Sequence, residues 1–401
     1  MVLMQSNSSK LSISTLYTLY EIAYYAMVFC MYGMYTTYMI TYGFDTSFIA
    51  LSLSIVSLIS LLSGSIRAYY LDKTNNCRVV HLFYIITTEL AVLLFFSPLG
   101  KTKLIALIFA IFGYGGITAL IGETETWASK LISQGVNMNY GKVRAAGSLS
   151  YAVSAFVLGR VLADVGYDFA RIIFSIATLL CLITIIQIPN PEFKKEDNKE
   201  AKISIKEGFK QISNSKIFLV FMFCNALYMF TNTVCDGYLG PLVLEHGGTS
   251  ADIGIISSVI ALLEFIFMPL YNRFADKYGT RLLLTISFFG MAIKGLIMGN
   301  APSLQFLYIS VVMQVFSFVL MIPGKIRLIN EEIPRRYIAT GLYLSNAVAT
   351  LVSALIINPL IGQLSSNLGL PKTFIIMSIP SLIAGLIFLT FNFNKKLNTK
   401  I

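Results

Sequence analysis

The sequence predicts an all-α polytopic membrane protein, with twelve transmembrane helices in two pseudo-symmetric six-helix bundles. Three observations carry that prediction. The 401 residues are 56% hydrophobic and only 12% charged, with a mean hydropathy of +0.73, too apolar to cover a soluble surface. Apolar runs of about 20 residues, each enough to cross about 30 Å of hydrocarbon, recur along the whole chain. The basic residues, finally, fall in alternate connections between those runs, which is how orientation in a bilayer is fixed.

Taken in order, the runs place spans at 14–40, 47–68, 79–98, 103–133, 144–164, 169–189, 216–240, 251–272, 281–299, 303–324, 338–362 and 373–392. The first follows a single Lys10 and no small-residue cleavage site, so it reads as a retained span and not a signal peptide. With the N-terminus inside, Lys10, the connections at 65–78, 130–144, 190–216, 273–281 and 325–336, and the C-terminal tail hold 24 of the 30 Lys and Arg. The other six are Lys101, Lys103, Arg160, Arg171, Lys294 and Lys372. Both termini are thereby expected in the cytoplasm, with the chain in the cytoplasmic (plasma) membrane. The net charge of +10 is explained by this placement and not by nucleic acid. The polar, mixed-charge stretch after Pro189 and Pro191 divides the chain into a bundle over 1–189, a linker over 190–215 and a bundle over 216–401. Weak echoes support that division: Asp72-Lys73 after span two recurs as Asp276-Lys277 after span eight, and Ala145-Ala146-Gly147 recurs as Ala339-Thr340-Gly341. Parallel repeats joined in this way are a transporter architecture.

Few residues in such a chain can carry chemistry. A charge at the centre of a span costs about 2.5–3.5 kcal/mol on insertion scales, so each one needs a reason. At about 100° per residue Arg144, Ser148, Tyr151, Ala155 and Gly159 share one face of span five. That is a cation, a hydroxyl and a ring beside a small-residue edge able to pack closely. Span one carries Tyr17, Tyr20, Glu21, Tyr24, Tyr25, Tyr32, Tyr35, Tyr38 and Tyr42, clustered in an arc of roughly 140°. The stripe reads as the wall of a polar cavity, with Tyr24 and Tyr35 as solute contacts. Glu123 and Glu125 in span four point to different sides, so one at most faces Arg144. Glu89 in span three is expected to be buried and paired. Asp236, Glu264 and Lys294 bring two acids and a base to spans seven, eight and nine. His81 and His246 lie near span ends and read as ordinary interfacial residues. The five cysteines sit in apolar runs without metal-ligand spacing and read as small core hydrophobes. No phosphate-cradling loop, zinc spacing or serine-nucleophile elbow is present, which argues against an ATP-driven pump or a membrane enzyme.

Two motifs resemble a known family. Asn272-Arg273-Phe274-Ala275-Asp276-Lys277-Tyr278-Gly279-Thr280-Arg281 resembles the loop signature G-x-x-x-D-(R/K)-x-G-x-(R/K) of the major facilitator superfamily, with Asn272 in place of the first glycine. A poorer copy follows span two, with Ala68 and Asn75 in place of the glycines and Arg78 one position late. Asparagine tolerates the left-handed backbone, so a similar turn remains available. The resemblance implies that Asp72, Lys73, Asp276, Lys277 and Arg281 latch the two halves on the cytoplasmic side. Gly141-Lys142-Val143-Arg144 with Gly147 and Tyr151 resembles the lactose permease and nucleoside/H⁺ symporter branch. There the matching arginine pairs with a span-four glutamate, which implies Glu125 here, and an aromatic at the Tyr151 position stacks on the sugar. The same branch implies a functional carboxylate at Glu264, with Lys294 near the place of a span-nine arginine. One departure concerns span ten, where the permease carries His and Glu and this chain has Gln314 and Ser317, neither of which titrates usefully.

The reading that results is a secondary transporter moving a small hydroxylated solute (sugar, oligosaccharide or nucleoside) by alternating access with proton coupling. Glu125, Arg144, Tyr151, Tyr24 and Tyr35 would bind solute, while Glu264, Lys294 and Asp236 couple the proton. Its partners are the solute, H⁺ and lipid; no cofactor, metal or nucleic acid is required, and a monomer is expected. The alternatives are an efflux antiporter for drugs or amphiphilic metabolites and a non-transporting sensor on the same fold.

Overall fold

The computed structural model describes residues 11–192, 214–334 and 337–391, so most of the 190–215 linker lies outside the described residues. Helices account for nearly all of it, and no strand occurs among the described residues. Eleven helices are long and apolar enough to cross a membrane. The twelfth crossing, 13–41, is a helix interrupted by a π-helical turn at Phe29–Gly33.

Short connections are cut by caps written in the sequence. Asp45, Asn139 and Ser215 open spans two, five and seven by accepting backbone N–H groups of Phe48, Lys142 and Phe218, which satisfies orphan donors of the first turn. Thr249 and Asp252 form a reciprocal capping box at the start of span eight. Each loop motif ends its helix on a residue of positive φ, though the two turns differ in ψ, 18° at Asn75 and 146° at Gly279. Gly279 has φ +83° and Asn75 has φ +51°, so asparagine takes the left-handed position that the sequence allowed it.

Spans four, ten and eleven also depart from regular α-helix. Span four has a π segment at Phe109–Tyr114, and span eleven has one at Ser353–Ile357. Span ten breaks at Ser317, whose backbone stands at φ −117°, ψ −96°. Irregular backbone at membrane depth persists only where its polar groups find partners. Here the Ser287 hydroxyl donates to the Ser317 carbonyl at 2.9 Å. Gly290 completes the fit, because a Cβ there would lie 2.2 Å from the Phe316 carbonyl oxygen.

Span one packs on spans five and six, and span twelve packs on spans seven and nine. The first six spans meet the last six where span five crosses span eight and span two crosses span eleven. Gly159 and Gly254 make the first crossing close: a Cβ on Gly254 would stand 2.2 Å from the Ala155 carbonyl oxygen. Hydroxyls fasten the second. Ser47 and Ser366 are 2.7 Å apart, and Ser365 donates to Thr46 at 2.8 Å. Both crossings lie toward the end that carries the 42–45 and 246–249 turns, away from the Lys/Arg-rich connections. The seal is therefore at one end of the molecule, with a cavity beyond it.

Candidate functional site

The cavity has two contiguous lobes between the span sets. One, of about 250 Å³, is lined by Tyr25, Tyr32, Arg144, Ser148, Tyr151, Asp236, Glu264, Lys294 and Gln314, among others. The other, of about 370 Å³, shares Tyr32, Asn232, Asp236 and Phe318 with it. Arg144, Tyr151, Asp236, Glu264 and Lys294, named from sequence on four different spans, thus meet at one place.

On the wall formed by spans one and five, Arg144 Nη1 donates to Ser148 Oγ at 2.8 Å, one helical turn along. Its guanidinium lies 4.5 Å from the centroid of the Tyr25 ring, a cation–π arrangement. Tyr151 packs edge-on against Phe29 at 5.8 Å. On the wall formed by spans eight, nine and ten, Lys294 Nζ donates to Gln314 Oε1 at 2.7 Å, and Gln314 Nε2 donates to Glu264 Oε1 at 2.7 Å. Lys294 and Gln314 are buried, so this chain of charge-assisted bonds stands in a low-dielectric setting. Between the walls the Tyr32 hydroxyl donates to Asp236 Oδ2, a bond that joins the two span sets inside the cavity.

Several expectations are corrected. The acid and base of the second half do not touch directly; Gln314, set aside because it does not titrate, bridges them. The predicted Glu125–Arg144 pair is not formed. Glu125 is exposed and makes none of the ion pairs found among the described residues, although Glu21, Glu125 and Arg144 lie within electrostatic range of one another. Glu123 is taken by Arg67 at 2.8 Å, with the Tyr84 hydroxyl on the same guanidinium, and ties span four to span two.

The tyrosine stripe mostly faces the interior of the first six spans. Tyr24 donates to the Ile117 carbonyl at 2.6 Å, and Tyr35 pairs with Ser52 at 2.8 Å; both are fully buried and neither lines a lobe containing Arg144. Packing wins here because rings on a helix flanked by spans four and six bury large areas there and find backbone acceptors. Only Tyr25 and Tyr32 of the stripe reach the charged lobe.

Outside the cavity, His81 is not interfacial. It is buried, bonded to the Cys77 carbonyl at 2.8 Å and packed 4.7 Å from the Trp127 ring. Glu21 is buried too, with one oxygen lacking any partner. Glu89 accepts from Ser175 and Thr178 of span six, which supplies the partners that sequence could not. All five cysteines are free and buried.

The hydrogen bonds and ion pairs seen for the loop motifs among the described residues stay within one half. Asp276 pairs with Arg327 at 2.7 Å, within the last six spans. Lys277 lies over its own neighbour Tyr278 at 5.0 Å. Lys73 is exposed, and the side chain of Asp72 lies outside the described residues. Arg281 instead donates to the carbonyls of Leu389 and Phe391, capping span twelve, and Arg78 does the same to Ile188 after span six. A cation on the free carbonyls of a helix C-terminus opposes its dipole favourably. The poor first copy of the motif therefore keeps the function of the good second copy.

A family model described as the MFS_1 like family matches residues 12–366. An uncharacterized transporter, YwbF of Bacillus subtilis (strain 168), is 28% identical over 218 residues, 54% of this chain and 53% of that protein. A maltose permease of Geobacillus stearothermophilus is 24% identical over 251 residues, 63% of this chain and 62% of that protein. The chain thus matches these relatives over less than two thirds of their length. Among solved structures, a variant of the nucleoside transporter NupG superimposes with a TM-score of 0.79 at 12% identity, covering 94% of this chain and 99% of that one. With its family model spanning most of the sequence and its fold shared with a solved nucleoside transporter, the chain belongs to the MFS_1 like family and has the major facilitator fold.

Proposed function

We propose that the protein imports a small hydroxylated solute across the cytoplasmic membrane by alternating access, driven by protons, with both termini in the cytoplasm. Two units, 1–189 and 216–401, joined by the 190–215 linker, rock about the central cavity. One observation carries the reading: Arg144, Tyr151, Asp236, Glu264 and Lys294 line a single cavity closed at one end. By the placement of Lys and Arg that end is the outside, so the state is inward-facing. A maltose permease and a nucleoside transporter among the relatives and fold neighbours support a hydroxylated solute. Arg144, with Ser148 and Tyr151, offers donors and a ring face to such a molecule.

Coupling follows from the amide bridge. While Glu264 is ionised it accepts from the Gln314 N–H, and the Gln314 carbonyl accepts from Lys294. A proton taken up on Glu264 Oε1 turns that oxygen into a donor. Gln314 then turns its amide, gives its carbonyl to Glu264, and presents N–H groups to Lys294, which is expelled toward the cavity. The arrival of a proton on one carboxylate thereby changes the charge facing the solute. Asp236 adds a second dependence, because the Tyr32 bond ties the units only while the carboxylate accepts it.

The test is uptake of labelled maltose and uridine into proteoliposomes with an imposed inward proton gradient. Accumulation that a protonophore abolishes is expected. Gradient-driven extrusion of dyes without sugar or nucleoside uptake would support the efflux alternative, and binding without flux would support the sensor.

A further inference from the structure

The larger lobe has a cation that the proposed transport scheme does not use. Lys325 lines it from the cytoplasmic end of the span-ten helix, and its Nζ donates to the side-chain Oδ1 of Asn346 on span eleven at 3.0 Å. None of the ion pairs among the described residues includes it. The other charges on the cavity wall are already used in the transport scheme: Glu264 is bridged to Lys294, Asp236 accepts from Tyr32, and Arg144 rests on Ser148 and the Tyr25 ring.

Apart from Asp236, whose carboxylate accepts from Tyr32, the wall around Lys325 is neutral but rich in polar groups. Asn225, Asn232, Thr350 and Asn358 line it. Asn358 Oδ1 and the Tyr228 hydroxyl, on residues that line this lobe, are themselves closed to solvent and have no hydrogen-bond partner among the described residues. Buried polar atoms are seldom left unpaired unless something else supplies the partner. Three π segments also converge here through Tyr32, Tyr114 and Ser353, and such segments recur at functional sites. An ammonium beside the Asn225 and Asn232 amides and the Thr350 hydroxyl fits a molecule with hydroxyls and a negatively charged group.

We propose that Lys325, seated by Asn346, is an anion subsite in the second lobe, so that the transported solute is hydroxylated and carries a carboxylate or phosphate. The proposal rests on the reading of the cavity as the transport site. The solute's charged group meets Lys325 while its hydroxylated body reaches the amides and, across Asp236, the Arg144 side.

Isothermal titration of the purified full chain tests it with matched probes: glucose, glucuronate and glucose 6-phosphate, and uridine with uridine 5′-monophosphate. At least one charged probe should bind tenfold or more tightly than its neutral counterpart. Lys325→Gln should remove that preference and leave the neutral affinity unchanged, with an unaltered melting temperature showing that it still folds. Glucuronate and glucose 6-phosphate distinguish a carboxylate from a phosphate subsite. Equal binding of charged and neutral probes, no binding of any charged probe, or a preference that survives Lys325→Gln overturns the subsite. Arg144→Gln separates the two readings. If it weakens binding while Lys325→Gln does not, only the subsite falls; if neither substitution alters any affinity, the cavity reading falls with it.

Discussion

The two walls of the charged lobe treat charge in opposite ways. On spans eight, nine and ten, acid and base are joined through one amide, with both bonds at 2.7 Å and two of the three residues buried. On spans one and five, Arg144 rests on a hydroxyl and a ring and touches no carboxylate. A buried charge pair with every partner satisfied is rigid and sensitive to a single proton. A guanidinium held by neutral groups keeps its charge for something that arrives. The contrast is the ground on which we propose energy coupling at the Glu264 wall and recognition of the solute's hydroxylated body at the Arg144 wall.

The largest effect expected from breaking this contrast comes at Glu264. Glu264→Gln preserves shape and hydrogen bonding but removes the proton site, so accumulation against a gradient should be lost while solute exchange across proteoliposomes persists. Normal accumulation in that variant would remove the coupling assignment. Next comes Arg144→Gln, expected to weaken solute binding at least tenfold, or about 1.4 kcal/mol, with membrane insertion and melting temperature unchanged. Gln314→Leu should follow, because it strands a buried lysine and its carboxylate partner together. A stability loss of about 1–3 kcal/mol per unsatisfied group is expected, together with reduced coupling, whereas Gln314→Glu should restore the lysine's acceptor and part of the stability. The smallest effect is the control. Tyr24→Phe deletes one bond to a backbone carbonyl in the packed interior and should cost about 1 kcal/mol of stability, with transport kinetics intact. Altered solute affinity in Tyr24→Phe would return the tyrosine stripe to the binding wall.

Much of the fold was legible because the bilayer enforces it: apolar length and the alternation of Lys and Arg leave few other architectures open. Arg144, Glu264 and Lys294 were legible for a related reason, since charges inside spans are costly and face the interior. The errors came where the rotation of one helix against another decides the outcome. Glu125 and Glu123 differ by about 200° around span four, and only coordinates show that Arg67 claims one while neither contacts Arg144. The stripe on span one has the same periodicity whether it faces a cavity or a packed neighbour, so Tyr24 and Tyr35 were misplaced while Tyr32 was not selected. Gln314 carries no titratable group to mark it in the sequence, although an amide can transmit a charge change that it does not itself undergo. The π segments leave no recognisable residue pattern in spans one, four and eleven. Asn75 was read correctly from its tolerance of the left-handed region, and the structure shows why the surrounding motif persists in degraded form: Arg78 still caps span six.

The central claim is that Arg144 and Glu264 face one water-filled cavity that opens to the Lys/Arg-rich side while the 42–45 and 246–249 turns are sealed. Thiol labelling tests it directly, with Ser148→Cys and Ala261→Cys placed singly in a cysteine-free protein and exposed to a membrane-impermeant maleimide. The account predicts rapid labelling of both positions in inside-out vesicles and much slower labelling in right-side-out ones. Protection of both positions in both orientations would show a dry contact where the cavity is placed, and would contradict it.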